Sequence, residues 1–299
     1  MTASQDHRPP ESAYLNCIRC GLCLAVCPTY REYLTETASP RGRVALARKG
    51  LEGELALSPN LFEQMYACFD CLACNEICPV GIRPADLALA LRETQEALQP
   101  ARWKRPLFRG LIPHPGRMEL ATWPLRLYER LGVRRLVYAL GLRRLLPAQL
   151  ADLEAMLPHL PQRPLRHNLP EVVYAGGQRS PGSSTGGKRV GFFLGCAQNT
   201  LFAEESAATV RVLARNGCTV ITPRETKCCG MPARGYGDGE AAREQARFNI
   251  ALFERADVEV IVTDCATCGS TLREYAALLA DDGQWAGRAA AFSSKVRDI

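Results

Sequence analysis

The sequence predicts a mixed fold: a mostly α-helical N-terminal region, then a three-layer α/β region built on parallel strands. Three observations carry this reading. Two cysteine runs of identical spacing, "CIRCGLCLAVCP" (residues 17–28) and "CFDCLACNEICP" (residues 68–79), are joined by helical sequence. From Arg189 onward, short apolar runs alternate three times with helical stretches, the signature of parallel strands linked by crossovers. Between these regions lie a basic amphipathic stretch and a segment rich in Gly, Ser and Pro. The expected regions are therefore 13–100, 101–168, 169–187 and 188–299.

In the first region, "SPRGRVALARKGLEG" starts a helix with Ser39 as cap and Pro40 in the first turn, and ends it at glycine. "SPNLFEQMYAC" repeats the Ser-Pro start and leads into the second cysteine run. "RPADLALALRETQEAL" places Leu87, Ala90 and Leu91 at helical spacing. In the second region, "PLRLYERLGVRRLVYALGLRRLLP" spaces Leu, Val and Tyr three and four apart, with arginines between. Residues 169–187 read as an exposed linker. The last region offers three strands, in "RVGFFLGC", "CTVITP" and "VEVIVTDC", each followed by a helix.

The chain has 299 residues, 47% apolar and 23% charged, and this composition is that of a globular protein with room for two cores. Its N-terminus is polar and carries no secretory signal. No stretch nears the roughly 18 consecutive apolar residues of a spanning helix. Fourteen cysteines without export point to metal in a reducing cytoplasm rather than to disulfides. The net charge of +6 is uneven, since residues 101–144 hold eleven Arg or Lys against two Glu. With no stacking aromatics in a nucleic-acid motif, that block reads as a surface for packing or docking, and nucleic acid is not an expected partner. It either packs on the N-terminal region, docks a partner subunit, or lies on an anionic membrane surface at the inner face near a quinone pool.

Each run reads Cys-x2-Cys-x2-Cys-x3-Cys-Pro, the pattern of bacterial two-cluster ferredoxins, in which the fourth cysteine serves the other cluster. One [4Fe–4S] cluster would then take Cys17, Cys20, Cys23 and Cys78, and the other Cys68, Cys71, Cys74 and Cys27. The competing reading is structural zinc, which usually takes paired knuckles and often histidine. Later in the chain, Cys196 and Cys265 directly end strands, and Cys228-Cys229 closely follow one. The carboxyl ends of parallel strands share a rim. Topology alone therefore delivers Cys196, Cys228, Cys229, Cys265 and Cys268 to one place.

That second set, with "CCG" at its centre, resembles the cysteine-rich domain of heterodisulfide reductase and of the iron–sulfur subunits of glycolate- and lactate-oxidising enzymes. The likeness covers nearly the whole chain: paired ferredoxin runs, "SPRGR" (residues 39–43), a variable middle, then "GCAQNT" and "CCG". The sequence is most similar to the glycolate oxidase iron–sulfur subunit family. The resemblance implies an electron-transfer subunit that takes electrons from an FAD-containing 2-hydroxy-acid dehydrogenase subunit, for glycolate or D-lactate, and passes them to a quinone or another carrier. It also implies that the five later cysteines can bind a third iron–sulfur cluster; a thiol-rich or zinc-binding rim is the alternative. A different reading has that rim perform thiol and disulfide chemistry itself, as in heterodisulfide reductases. The family usually carries two such domains and this sequence has one, so the chain is either a fragment or a shortened paralogue.

Other residues are read more plainly. Cys218 is a buried small hydrophobe. His7, His114, His159 and His167 form no ligand pair and belong at the surface. "GYGDG" (residues 235–239) is a turn before a helix, and no Walker loop or dinucleotide motif is present. No residue is assigned a catalytic role. Arg41 and Arg43 either offset cluster charge or are solvated, with solvation the favoured reading.

Overall fold

The computed structural model describes residues 9–141, 147–177 and 187–299. The chain forms two compact units, one of Met1–Phe108 with Pro232–Ala242, the other of Arg109–Met231 with Arg243–Ile299. His7 lies outside the described residues.

The first unit is helical. Its frame is α1 (Pro40–Leu51), α2 (Pro59–Tyr66) and α3 (Pro84–Leu98), with single turns of helix inside each cysteine run at Leu22–Ala25 and Ala73–Glu76. Both Ser-Pro starts act as the sequence predicts. Ser39 Oγ accepts from the Gly42 N–H at 2.9 Å, and Ser58 Oγ accepts from the Leu61 N–H at 3.4 Å. Each hydroxyl satisfies an amide that has no partner within its helix. Val44 and Ala47 of α1, Leu61, Phe62 and Met65 of α2, and Leu87, Ala88 and Leu91 of α3 close one core at three- and four-residue spacing. Full burial of a side chain such as Leu91 contributes roughly 2 kcal/mol.

Between the two arginines of "SPRGR", only glycine fits. A β-carbon at Gly42 would sit 1.8 Å from the Glu36 carbonyl oxygen, a backbone atom that cannot swing aside. Gly42→Ala is therefore expected to cost about 1–3 kcal/mol by overpacking. A calorimetric melt showing the first unit as stable as the wild type would contradict this close approach. The segment Pro232–Ala242 completes this unit. Tyr236 stacks on Phe108 with ring centroids 5.1 Å apart, and its carbonyl accepts from Lys104 Nζ at 2.9 Å.

The second unit is built on a five-stranded sheet in the order β1-β3-β2-β4-β5. The strands are β1 (Val172–Val173), β2 (Arg189–Phe192), β3 (Thr219–Ile221), β4 (Val260–Thr263) and β5 (Val296–Asp298). β3, β2, β4 and β5 run parallel, and β1 pairs antiparallel with β3 through Val172 and Ile221. The three expected strands are β2, β3 and β4. A piece of the expected linker is instead the edge strand β1, and β5 comes from the final residues. Two- and three-residue strands carry too little alternation to be read from sequence, and pairing with neighbours creates them. Consecutive residues of β2 and its extension alternate between two cores: Phe192 packs with Val210 and Val220, Phe193 with Ile250 and Phe253.

The basic stretch divides between the units: its first residues, Lys104 and Phe108 among them, belong to the first unit, and the rest, from Arg109 on, to the second. Its helix α4 (Pro115–Arg130) is tied down by Glu119, which pairs with Arg166 at 2.6 Å and accepts from the buried Asn199 at 2.9 Å. Amphipathic spacing identifies a packing face but not the surface it meets. No helix among the described residues is long and apolar enough to cross a membrane.

Candidate metal centres

The two cysteine runs share a backbone as well as a spacing. At the third and fifth positions of each run φ is positive: Arg19 (56°) and Gly21 (88°) in the first, Asp70 (53°) and Leu72 (60°) in the second. Left-handed positions of this kind are an ingredient of the backbone concavities that hold anions. For Arg19, Asp70 and Leu72 this conformation is uncommon and costs energy. Such strain in both copies, over four thiols each, fits an anionic cluster ligated by thiolates.

Two recesses receive the eight thiols. Cys17, Cys20, Cys23 and Cys78 line one, together with Arg41 and Cys74, which borders both recesses. Cys68, Cys71, Cys74 and Cys27 line the other, with Thr29 and Arg43. The fourth cysteine of each run thus faces the recess of the opposite run. Pro28 and Pro79 follow these two cysteines, and Cys27 precedes the short helix Pro28–Tyr33 as its cap.

The environments of Cys27 and Cys74 diverge. Burial raises the Cys27 thiol, but the neighbouring Thr29 hydroxyl, the Tyr30 N–H and the Arg43 charge together hold it below the ordinary thiol range. Burial pushes Cys74 up to about 12, helped by the nearby Cys68 and Cys71. Neutral thiols of this kind must release protons before they bind metal, so cluster insertion is coupled to proton loss.

Arg43 departs from the favoured sequence reading. It is only 2% exposed, and its guanidinium donates to the Gln64 carbonyl at 2.8 Å and to Thr29 Oγ1 at 3.0 Å. Thr29 in turn donates to the Ala38 carbonyl at 2.9 Å and lies 3.1 Å from Cys27 Sγ. Arg41, two residues earlier on α1, is half-buried and paired with Glu36 at 2.7 Å. Helical geometry turns residues two apart to different faces, but the sequence does not say which face meets a recess. Nothing in the sequence marks Arg92 as special. It is buried, and it donates to the carbonyls of Met65, Cys68 and Gly235.

The five later cysteines meet at the carboxyl ends of β2, β3 and β4. Cys196 starts the short helix Cys196–Thr200 beyond β2, Cys228 and Cys229 follow β3, and Cys265 caps the helix α5 (Ala266–Arg273) beyond β4. Cys268 lies in the first turn of that helix. Cys196 Sγ is 4.0 Å from Cys228 Sγ, and side-chain contacts continue from Cys228 to Cys229, Cys268 and Cys265. Hydrogen bonding from Cys268 lowers Cys265 to about 6 against the opposing effect of burial. Gly230 of "CCG" adopts φ +100°, which glycine accommodates without a side-chain clash.

Two fully buried residues grip this motif from behind. Asn249 Oδ1 accepts from the Lys227 N–H at 3.0 Å, and its Nδ2 donates to the Cys228 carbonyl at 3.0 Å and to the Tyr275 hydroxyl. Tyr275 donates to the Cys229 carbonyl at 2.8 Å. The sequence offers one hint, a lone Asn on the apolar face of "ARFNIALF". Cys218 is half-buried and packs beside Val220, away from this set. His159 and His167 are exposed and pair with Glu129 and Glu119, while His114 is half-buried.

Comparison with known proteins matches three families along the chain. Residues 13–82 match the 4Fe-4S dicluster domain, 100–157 the linker region of the glycolate oxidase iron-sulfur subunit, and 190–273 the cysteine-rich CCG domain. The dicluster match assigns a pair of [4Fe–4S] clusters to the N-terminal region. A probable glycolate oxidase iron-sulfur subunit of Bacillus subtilis (strain 168) is 36% identical over 98% of this chain and 66% of its own length. The glycolate oxidase iron-sulfur subunit of Escherichia coli (strain K12) is 31% identical over 97% of this chain and 65% of its own. Lactate utilization protein A of an Exiguobacterium species is 38% identical over 37% of this chain and 45% of its own. The chain thus spans about two thirds of the length of the first two relatives. No solved structure matches it.

Proposed function

The chain belongs to the glycolate oxidase iron–sulfur subunit family, and from that premise we propose that it is the electron-transfer subunit of an FAD-linked glycolate or D-lactate dehydrogenase. Its source of electrons is a separate flavoprotein subunit, and its acceptor is a quinone or another carrier. Cys17, Cys20, Cys23 and Cys78 hold one cubane, and Cys68, Cys71, Cys74 and Cys27 the other. Cys196, Cys228, Cys229, Cys265 and Cys268 hold a third cluster. When bound, such clusters supply one-electron carriers whose potentials follow charge, hydrogen bonding and burial around them. The protein's own residues therefore act as ligands, charge and insulation, and the organic substrate stays on the partner.

The observation that carries this reading is the sorting of eight thiols into two recesses, each completed by the other run's last cysteine. Anaerobically purified protein should contain about eight irons with matching sulfide, or about twelve if the later cysteines also hold a cubane-sized cluster. It should also co-purify with a flavoprotein that reduces it in the presence of a 2-hydroxy acid. Zinc without acid-labile sulfide would overturn the assignment.

One observation favours a second reading. The five later thiols form an unbroken chain of contacts, with Cys265 lowered to about 6. That arrangement suits disulfide chemistry at the rim, with activity resembling that of a heterodisulfide reductase. Disulfide reduction driven by reduced viologen would support it, and no turnover with intact clusters would reject it.

A further inference from the structure

Two arginines of one motif face the two recesses under opposite electrostatic conditions. Arg41 lines the first recess, half-buried, with both carboxylate oxygens of Glu36 on its guanidinium at 2.7 and 3.1 Å. Its charge is matched within its own side-chain pair. Arg43 lines the second recess at 2% exposure, and its described hydrogen bonds go to uncharged oxygens, the Gln64 carbonyl and the Thr29 hydroxyl. Arg92 adds a second buried guanidinium on the Cys68 carbonyl, while Asp70 of the second run faces both Cys68 and Arg92 with the opposite sign. Among the described residues, setting Asp70 against Arg92 leaves Arg43 as the unmatched positive charge at the second recess.

Burial decides how strongly that charge acts. A charge in low dielectric and away from salt is screened far less than one at the surface. Reduction adds one electron to a cubane and makes it more negative, so a nearby positive charge favours the reduced state. Resting on the ligand assignment proposed above, we infer that Arg43 sets the cluster of the second run at a higher reduction potential than the cluster of the first. One electron given to the pair then rests on the second-run cluster and leaves the first oxidised. Arg43 acts here as a tuning residue that touches Thr29 beside the ligand Cys27, and the Arg41–Glu36 pair leaves the first cluster without the same bias.

The test is a potentiometric titration of the anaerobically purified protein followed by EPR. Cys20→Ala and Cys71→Ala assign the two signals, each variant deleting one. In the wild type, the signal absent from Cys71→Ala should be reduced first. In Arg43→Gln, the reduced-to-oxidised ratio of that cluster at fixed potential should fall about tenfold or more, a shift of about 59 mV per tenfold for a one-electron couple. The first-run signal should move less, and Arg43→Lys should keep most of the wild-type ratio. Equal shifts in Arg43→Gln and Arg43→Lys would overturn the proposal, because packing rather than charge would then be responsible. If Arg43→Gln fails to retain the second cluster, the wild-type order of reduction still decides, and reduction of the first-run cluster first overturns it. Loss of the same signal in Cys20→Ala and Cys71→Ala would sink the ligand assignment itself, a failure distinct from a wrong order of potentials.

Discussion

Cys27→Ser is expected to remove about four irons per chain and to abolish the cluster of the second run while sparing that of the first. The reason is placement. Cys27 follows three cysteines in sequence, yet its thiol is buried in the recess lined by Cys68, Cys71 and Cys74. Serine keeps the size of the side chain and its cap position before Pro28, so the short helix Pro28–Tyr33 survives and only the soft ligand is lost. Cys78→Ser should do the reverse, removing the first-run cluster, because Cys78 lines the recess of Cys17, Cys20 and Cys23. Iron and sulfide analysis with EPR on the two variants reads this directly. Should Cys27→Ser delete the first-run signal, the crossing of ligands between runs would be wrong.

The second large effect lies at Asn249. Asn249→Leu keeps the volume but leaves the Lys227 N–H and the Cys228 carbonyl without the buried amide that satisfies them. An unsatisfied buried polar group costs about 1–3 kcal/mol, so a local loss of roughly 2–5 kcal/mol is expected. The loss should concentrate on the cysteine pair, because the Tyr275 hydroxyl, which holds the Cys229 carbonyl, also accepts from Asn249. Hydrogen exchange should therefore speed up in peptides covering residues 226–231 and stay unchanged across α1 to α3 of the first unit. Wild-type protection at 226–231 would mean that the grip contributes nothing to stability.

Both experiments probe features that the sequence discloses to different depths. That Cys27 and Cys78 each line the recess of the opposite run agrees with what the two-cluster ferredoxin pattern implies, a pattern carried by local spacing. The helix starts at Ser39 and Ser58 are legible for the same reason, since each cap is completed within three residues. The rim of five cysteines is legible from alternation, because parallel strands must end on one edge. Asn249 and Tyr275 are barely legible: their partners lie 21 and 46 residues away, and beyond the lone Asn in an apolar run nothing nearby announces the contact.

Local pattern in the chain accounts for the pair of cysteine runs that matches a dicluster domain, for the three central strands and for the edge where the later thiols gather. Spacing and periodicity act over a few residues, and a chain carries that information before it folds. Only the tertiary structure decided that Arg43 is buried while Arg41 is paired at the first recess, and that 232–242 joins the first unit. It also made strands of Val172–Val173 and Val296–Asp298. Burial and pairing are properties of what surrounds a residue. For these positions, the surroundings come from segments far away in the chain.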